Sequence, residues 1–462
     1  MNRKKLSADG LMELLGNSFS KISDHRGDKV KYSLRDSLMT SFAAFSLKYD
    51  SFNSFFDELD ESANKRISVQ HLFKVQEVPS ATRLKEIIDP VPSENLAPAF
   101  NDIFRELQRG KELEKFKFLD QYYLLALDGT QTFQSYNIHC DKCLVKKPKN
   151  GKGDISYSHQ MLAGCIVHPQ MKQVIPVSPE PIQNDDGSTK NDCERNAAKR
   201  FLKKFRKEHP KLPTIVTEDG LASNGPHIRD LKSFDMRFIL GAKPGDHKYL
   251  FNWINSLENM QKSVRYHFKG QKVIRRITQE IRYTNDAPLN DANSDLLVNF
   301  LEVTETVEKK TEEITHDSNG IATVSYQWVK EGKATKFSWV TDLKLNPNNV
   351  FDIMMAGRKR WAIENETFNT LKNLGYNLER NFGHGNENLA TNFSLLMMLA
   401  FFVDQVQELC CSTFQAVLTK VKRKKRLWSK LRSSFLVYVI KTNWAGLWNS
   451  ILSPPEPEME FR

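Results

Sequence analysis

From residue 120 onward, short apolar runs alternate with amphipathic helical stretches, and this alternation constrains the fold more than any other feature of the chain. YYLLALDGT, SYNIHCDKCLVKK, MLAGCIVHP and KQVIPVSPEPI read as strands, and NDCERNAAKRFLKKFRKEH (191–209) as a capped basic helix. TIVTEDG, PHIRDLKSF and MRFILGAK then read as strand, helix and strand. Strands interleaved with helices need a sheet with helices packed on it, so a mixed α/β fold is expected.

The flanks have a different texture. In residues 36–59, DSLMTSFAAFSLKYDSFNSFFDEL, apolar and aromatic residues recur at helical spacing behind a candidate cap at Asp36. VPSATRLKEIIDPV reads as a short helix capped by Ser80 and ended before Pro90. From about 295 to 345 apolar residues alternate strictly, in IATVSYQWV and TKFSWVTDLKL. EGKA is expected to turn between these two strands and DSNG (317–320) before the first, giving an antiparallel meander. FDIMMAGRKRWAIENETFNTLKNLG reads as one long helix ending at Gly375. Residues 386–412 and 427–451 read as helices, and the tail PPEPEMEFR as disordered.

Composition narrows the setting. The 462 residues are 40% hydrophobic and 27% charged, an ordinary globular mixture able to bury a core. A net charge of +11 favours a polyanionic partner, nucleic acid before membrane. The six cysteines are sparse, and MNRKKLSADGLMELL lacks the apolar core of a signal peptide, so a reduced, cytoplasmic protein is expected. LLMMLAFFV (395–403) stops at Asp404, short of the roughly 20 residues of a membrane span, and reads as a buried helix.

Two of the predicted strands, LLALDGT and PTIVTEDG, run into Asp-Gly, at Asp128 and Asp219. A carboxylate at the tip of a strand is rigidly based yet reaches solvent, and the glycine after it permits a tight turn and close approach of a ligand. Two such tips side by side offer the hard oxygen donors that Mg²⁺ prefers. Asp-Gly is equally a common turn dipeptide. A third acid comes from RKRWAIENETFNTLKN (358–373), where Arg360 and Glu364 share one helical face and Trp361, Phe368 and Leu371 form a stripe that would dock the helix on a sheet. Taken alone, that pair is an ordinary ion pair.

Together these segments resemble the DDE transposases of bacterial insertion sequences. LALDGT is similar to the first catalytic strand, IVTEDG to the second, and RWAIENETF to the helix bearing the final Glu, with a β-rich insertion between the last two. The resemblance covers about 120 to 385. It implies an RNase H-like core in which Asp128, Asp219 and Glu364 hold two Mg²⁺ ions, with Mn²⁺ able to substitute, for cleavage at element ends and strand transfer. It also implies double-stranded DNA with terminal inverted repeats and a target DNA as partners, a homodimer on DNA, and no membrane. The rivals are a two-metal nuclease without strand transfer and a non-catalytic transposase-derived DNA-binding protein. Arg360 is then a phosphate clamp. The sequence departs from the pattern at Gly357, where this branch often has Tyr, and at Leu371, where it often has Lys; Lys372 lies one position later, about 100° off the Glu364 face. Glu366 rivals Glu364, and the three-residue gap from Arg360 favours Glu364; Glu218 rivals Asp219, and the repeated Asp-Gly pattern favours Asp219.

The division that follows is a helical, DNA-binding region 1–115; the first part of the core 116–250; a β-rich insertion 251–347; the core helix with the catalytic Glu 348–385; a helical C-terminal region 386–451; and a disordered tail 452–462. Further candidates carry a bland reading beside the functional one. In TKVKRKKRLWSKLR, Lys422, Arg423, Lys424, Lys425 and Arg426 would neutralise phosphates or form a solvated connector, and Trp428 would anchor the next helix. Trp339 would stack on an extruded base or pack in the sheet. KRFLKKFRK (199–207) would line DNA or present a solvated basic face. Cys140 and Cys143 have half the spacing of a zinc site, with His139, His159, Cys165 and Cys193 available; with no second CxxC or HxxxH, packing or turn roles are expected. His384, in the GHG turn, would touch phosphate or serve a helix-connecting turn.

Overall fold

The computed structural model describes residues 3–27, 29–148, 151–184, 191–270, 273–316 and 322–454. The chain forms two compact units, Met1–Leu212 with Trp361–Arg462, and Pro213–Arg360. Both the DSNG turn and most of the tail expected to be disordered lie outside the described residues.

The first unit opens with helices α1 (Ala8–Ser20), α2 (Leu34–Ser46), α3 (Phe52–Glu61), α4 (Ala63–Phe73), α5 (Ala81–Ile88) and α6 (Ala97–Arg109). Serines start the first five: the hydroxyls of Ser7, Ser33, Ser51, Ser62 and Ser80 each accept a backbone N–H of the first turn. The cap of α2 is thus Ser33, not Asp36, which sits buried in the first turn and accepts the Glu77 N–H instead. Strands β1 (Lys117–Phe118), β2 (Tyr122–Ser135), β3 (Leu144–Lys146), β4 (Ser156–Val167) and β5 (Ile175–Ile182) and helix α7 (Glu194–Glu208) follow. β2 and β4 pair antiparallel over most of their length, with β3 and β5 side by side on the far edge of β4. Pro176, Pro179 and Pro181 are tolerated in β5 because it pairs only with β4 among the described strands and needs few outward N–H donors. Of SYNIHCDKCLVKK, only Ser135, the end of β2, and Leu144–Lys146 are strand; residues 136–143 form an irregular connection.

The second unit contains β6 (Thr214–Glu218), α8 (Gly225–Ser233), β7 (Arg237–Gly241), α9 (Lys248–Ser256), β8 (Gln261–Lys269), β9 (Arg275–Pro288), β10 (Leu297–His316), β11 (Ala322–Lys330), β12 (Thr335–Thr341) and α10 (Val350–Lys359). Its strand order is β6-β7-β12-β10-β9-β8. β6 and β7 are parallel and joined by α8; every other pairing in this unit is antiparallel. The meander is built from β8, β9 and β10. β11 and β12 do not face each other across an EGKA turn. Both pair with β10, β11 along its second half (Lys330↔Glu308) and β12 along its first (Thr341↔Asn299). Alternation marked both segments as strands, but β11 is exposed along nearly its whole length and β12 is buried only from Trp339 onward, so it gave neither a buried face nor the partner.

The chain returns to the first unit with a π-helical turn (Ile363–Phe368), α11 (Asn369–Asn373), α12 (Leu389–Cys410), α13 (Ser412–Val421), α14 (Lys424–Val437) and α15 (Trp444–Leu452). The long helix expected to end at Gly375 is three segments, broken at Arg360–Trp361. Gly375, at φ +102°, ends the last of them. α12 is long and apolar enough to cross a membrane, but 94% of its most apolar window is buried, and it packs against α2 as a core helix. The Asp89 carboxylate accepts the backbone N–H groups of Asn386, Glu387, Asn388 and Leu389, closing the start of α12. The molecule is a mixed α/β protein with helical flanks.

Candidate functional site

In the first unit, Asp128 lies inside β2 and not at its tip. Its Cα faces Ala163 of β4, and β2 continues to Ser135 past an irregularity between Gln131 and Phe133. The expected turn at Gly129 does not form, because pairing with β4 continues on both sides of it. The glycine still has a steric reason: a Cβ there would lie 2.7 Å from Oε2 of Glu194, at the start of α7. Glu194 is an exposed acid that no sequence motif singled out. Its only local signal is its place in the first turn of a helix. Asp128 itself is half-buried, with Oδ1 3.0 Å from the Gly129 nitrogen.

Glu364 and Glu366 sit on the π-helical turn, Glu364 exposed and Glu366 half-buried. This turn packs against β2 and β4 through Ile363, Thr367 and Phe368, and the Thr367 hydroxyl lies 3.5 Å from the Cys165 sulfur. The fourfold spacing of Arg360 and Glu364 therefore does not carry the shared face of a continuous α-helix: α10 ends at Lys359 and the π turn begins at Ile363. Trp361, at the break, is 41% exposed and leaves the docking stripe, which Phe368 and Leu371 keep. Lys372 pairs with Glu379 at 2.7 Å. Single π turns inside α-helices recur at functional sites.

In the second unit, Asp219 follows the last residue of β6 and caps a short 3-10 turn, its Oδ1 accepting the Leu221 N–H at 2.9 Å. The rival Glu218 is buried and bonded to His227 Nε2 of α8, which occupies it locally. Gly220 packs under the end of β7, where a Cβ on Gly241 would lie 3.1 Å from its nitrogen. Trp339 is 6% exposed. Its indole lies against Gly357 of α10, where any Cβ would come within 2.6 Å of Nε1. Trp339 is therefore a packing residue with no ring face left for a base, and its indole gives this chain a steric reason for glycine at 357. Arg358 pairs with Glu305 at 2.6 Å and stacks over Phe337. Against the upward push of burial, hydrogen bonds from Gln279 and Arg358 hold the Glu305 carboxyl below its usual range. Arg360 is half-buried.

The basic run lies on the first unit. Lys422 caps α13 in the left-handed region at φ +66°, and Lys422, Arg423, Lys425 and Arg426 are exposed. Lys424 turns inward to Glu408. Trp428 is buried under the Lys48 ammonium, so it anchors α14. Beside the run a groove of about 1030 Å³, with a mainly apolar wall that includes Tyr438, Ile440 and Leu447, also carries Lys420, Arg426, Lys430 and Lys441. On α7, Arg200 is bound to Glu180 and Asp192 of its own unit, which removes it from a free basic face.

No protein-family model matches this chain, and comparison with curated proteins finds no relative.

Proposed function

We infer that the chain is a DDE transposase with an RNase H-like core, in which Asp128, Asp219 and Glu364 are the metal-holding acids. The observation that carries this reading is the packing, within the first unit, of the π turn bearing Glu364 against β2, the strand bearing Asp128. The second unit adds support: Asp219 stands at the end of a parallel strand, half-buried and followed by Gly220. The donor set fits Mg²⁺, since all three groups are carboxylates that are not fully buried, leaving room for water and phosphate oxygens. Bound Mg²⁺, or Mn²⁺ in its place, supplies activation of the attacking oxygen and stabilisation of the leaving 3′-oxygen in an in-line displacement at phosphorus. Gly129 keeps the backbone beside Asp128 free of a side chain. Arg360 holds a phosphate of the DNA end. Lys422, Arg423, Lys425 and Arg426 attract the duplex. The partners are duplex DNA carrying terminal inverted repeats and a target duplex, bound by a dimer in the cytoplasm on nucleoid DNA.

The test begins with Mn²⁺ binding by calorimetry, with and without DNA, on wild type and on the Asp128→Asn/Asp219→Asn double variant. Binding by wild type that the double variant loses is expected. Asp128→Asn, Asp219→Asn and Glu364→Gln should each abolish metal-dependent cleavage of DNA carrying the repeats that flank the gene, with DNA affinity nearly unchanged. A variant that keeps full cleavage removes its residue from the site. Cleavage without joining to a target plasmid would leave a two-metal nuclease. DNA binding with neither metal uptake nor cleavage would leave a non-catalytic binding protein.

A further inference from the structure

Four soft or borderline ligands from three separate segments converge in the first unit. Cys140 and Cys143 lie in the connection after β2, His159 on β4, and His384 in the GHG turn before α12. Their ligand atoms all lie within 4.8 Å of one another. The two sulfurs are 3.9 Å apart; His159 Nε2 is 3.4 Å from each of them, and His384 Nε2 is 3.6 Å from the Cys143 sulfur. A tetrahedral ion with Zn–S of about 2.3 Å and Zn–N of about 2.0 Å has S···S edges of about 3.8 Å and S···N edges of about 3.5 Å. Four of the six edges thus match those of such an ion, and the other two, both from His384 Nε2, are no longer than 4.8 Å.

The surroundings hold the ligands in this arrangement. The Cys143 N–H donates to the Cys140 carbonyl, closing the Cys-x-x-Cys segment into a tight knuckle. Asn184 brackets the knuckle: its N–H donates to the Lys142 carbonyl and its side-chain amide to the Cys143 carbonyl. The Lys142 ammonium reaches the Asn388 side chain at 2.7 Å, tying the knuckle to the segment that follows His384. That segment is pinned by Asp89, and Gly383 and Gly385 take φ values of +148° and +69°. A Cβ on Gly385 would lie 2.4 Å from the Asp89 carboxylate, so the turn presenting His384 tolerates no side chain there. Phe133 covers the His384 ring at 4.5 Å. Cys143, His159 and His384 are buried, and both imidazoles direct Nε2 at the sulfurs while each Nδ1 is buried with no hydrogen-bond partner among the described residues. The rival sequence candidates are engaged elsewhere: His139 stacks on Tyr157, Cys165 contacts Thr367, and Cys193 is exposed at the start of α7.

We propose that Cys140, Cys143, His159 and His384 bind one Zn²⁺ as a closed structural site. Two thiolates and two neutral imidazoles balance the charge of a divalent ion, which suits a buried position. With four protein ligands there is no open coordination position for chemistry, so the ion is structural. It fastens the connection after β2 and the first part of β4 to the turn that follows the segment bearing Glu364. This site is independent of the proposed Mg²⁺ acids, and its metal content can be read without any DNA reaction.

The experiment uses the untagged full-length chain, purified reduced and analysed for metals by mass spectrometry. About one zinc per chain is expected, retained in the control Cys193→Ser and lost in Cys143→Ser and in His384→Ala. Because loss of a ligand can also prevent folding, wild type is in addition stripped with a chelator and reconstituted with Co²⁺. A tetrahedral visible spectrum with a sulfur-to-cobalt charge-transfer band, quenched by added Zn²⁺, supports the site. Thermal unfolding of the stripped protein should shift to lower temperature and be restored by Zn²⁺. A folded wild-type chain that carries no zinc, takes up no Co²⁺ and melts at one temperature with or without chelator overturns the proposal. Equal zinc content in wild type and both ligand variants overturns it as well.

Discussion

His209 lies buried beside the rings of Phe104 and Phe205, with centroids 4.4 and 4.8 Å from its own. Burial, then repulsion from Arg206 and Arg105, pushes its pKa from 6.5 down to about 4. The imidazole is therefore neutral in the fold at pH values where the unfolded chain already takes up a proton. The sign follows: this contribution to stability is complete above pH 6.5 and is lost as pH falls toward about 4, because the unfolded state binds more protons there. His209→Phe keeps a ring beside Phe104 and Phe205 without the titration. Its urea midpoint should fall less steeply than that of wild type between about pH 6.5 and 4; parallel curves would assign the acid sensitivity to other groups. Residue types alone did not disclose such surroundings. Trp339 offers a stacking face as a residue type, and its packing on Gly357 removes that face. The repeated Asp-Gly step favours Asp219 over Glu218 in the sequence, and the bond from His227 to Glu218 adds a distinction that only the fold supplies.

At the scale of elements, α10 meets β12 where the Trp339 indole packs on Gly357. Gly357→Ala sets a methyl within 2.6 Å of the Trp339 indole nitrogen, which must shift. A loss of about 1–3 kcal/mol is expected, measured by denaturant unfolding. Trp339→Leu in the same chain should recover part of that loss; an additive double variant would mean the two residues do not meet in solution. The helix that follows was legible as apolar periodicity, and Phe368 and Leu371 are buried as that periodicity requires. Its division at Arg360–Trp361 and the π turn were not legible, because a single wider turn shifts all later side chains without altering the local composition. β2 was legible as a strand, and so was Asp128 as part of it. That the strand continues past Asp-Gly depends on β4, a partner that no local motif specifies.

At the scale of the molecule, the excess positive charge is unevenly usable. Of the five cations in 422–426, Lys424 is held by Glu408, while the other four project into solvent. Replacing Lys422, Arg423, Lys425 and Arg426 with Gln should flatten the dependence of log DNA affinity on log salt by about 0.9 for each phosphate that is no longer neutralised. Lys424→Gln alone should leave the slope unchanged. An unchanged slope in the fourfold variant would make the run a bystander. The sequence by itself determined the helical flanks, the order and type of most elements of the α/β region, and the buried character of α12. These depend on periodicity and caps within a few residues of each other, so they can be read locally. The tertiary structure alone decided that β11 and β12 share β10, that Trp339 is covered, and that His384 meets a cysteine 241 residues away. Local patterning marks an element and the face it can bury, whereas the packing of the whole chain decides whether that face is covered, as it is not for β11 or Trp361, and by which partner.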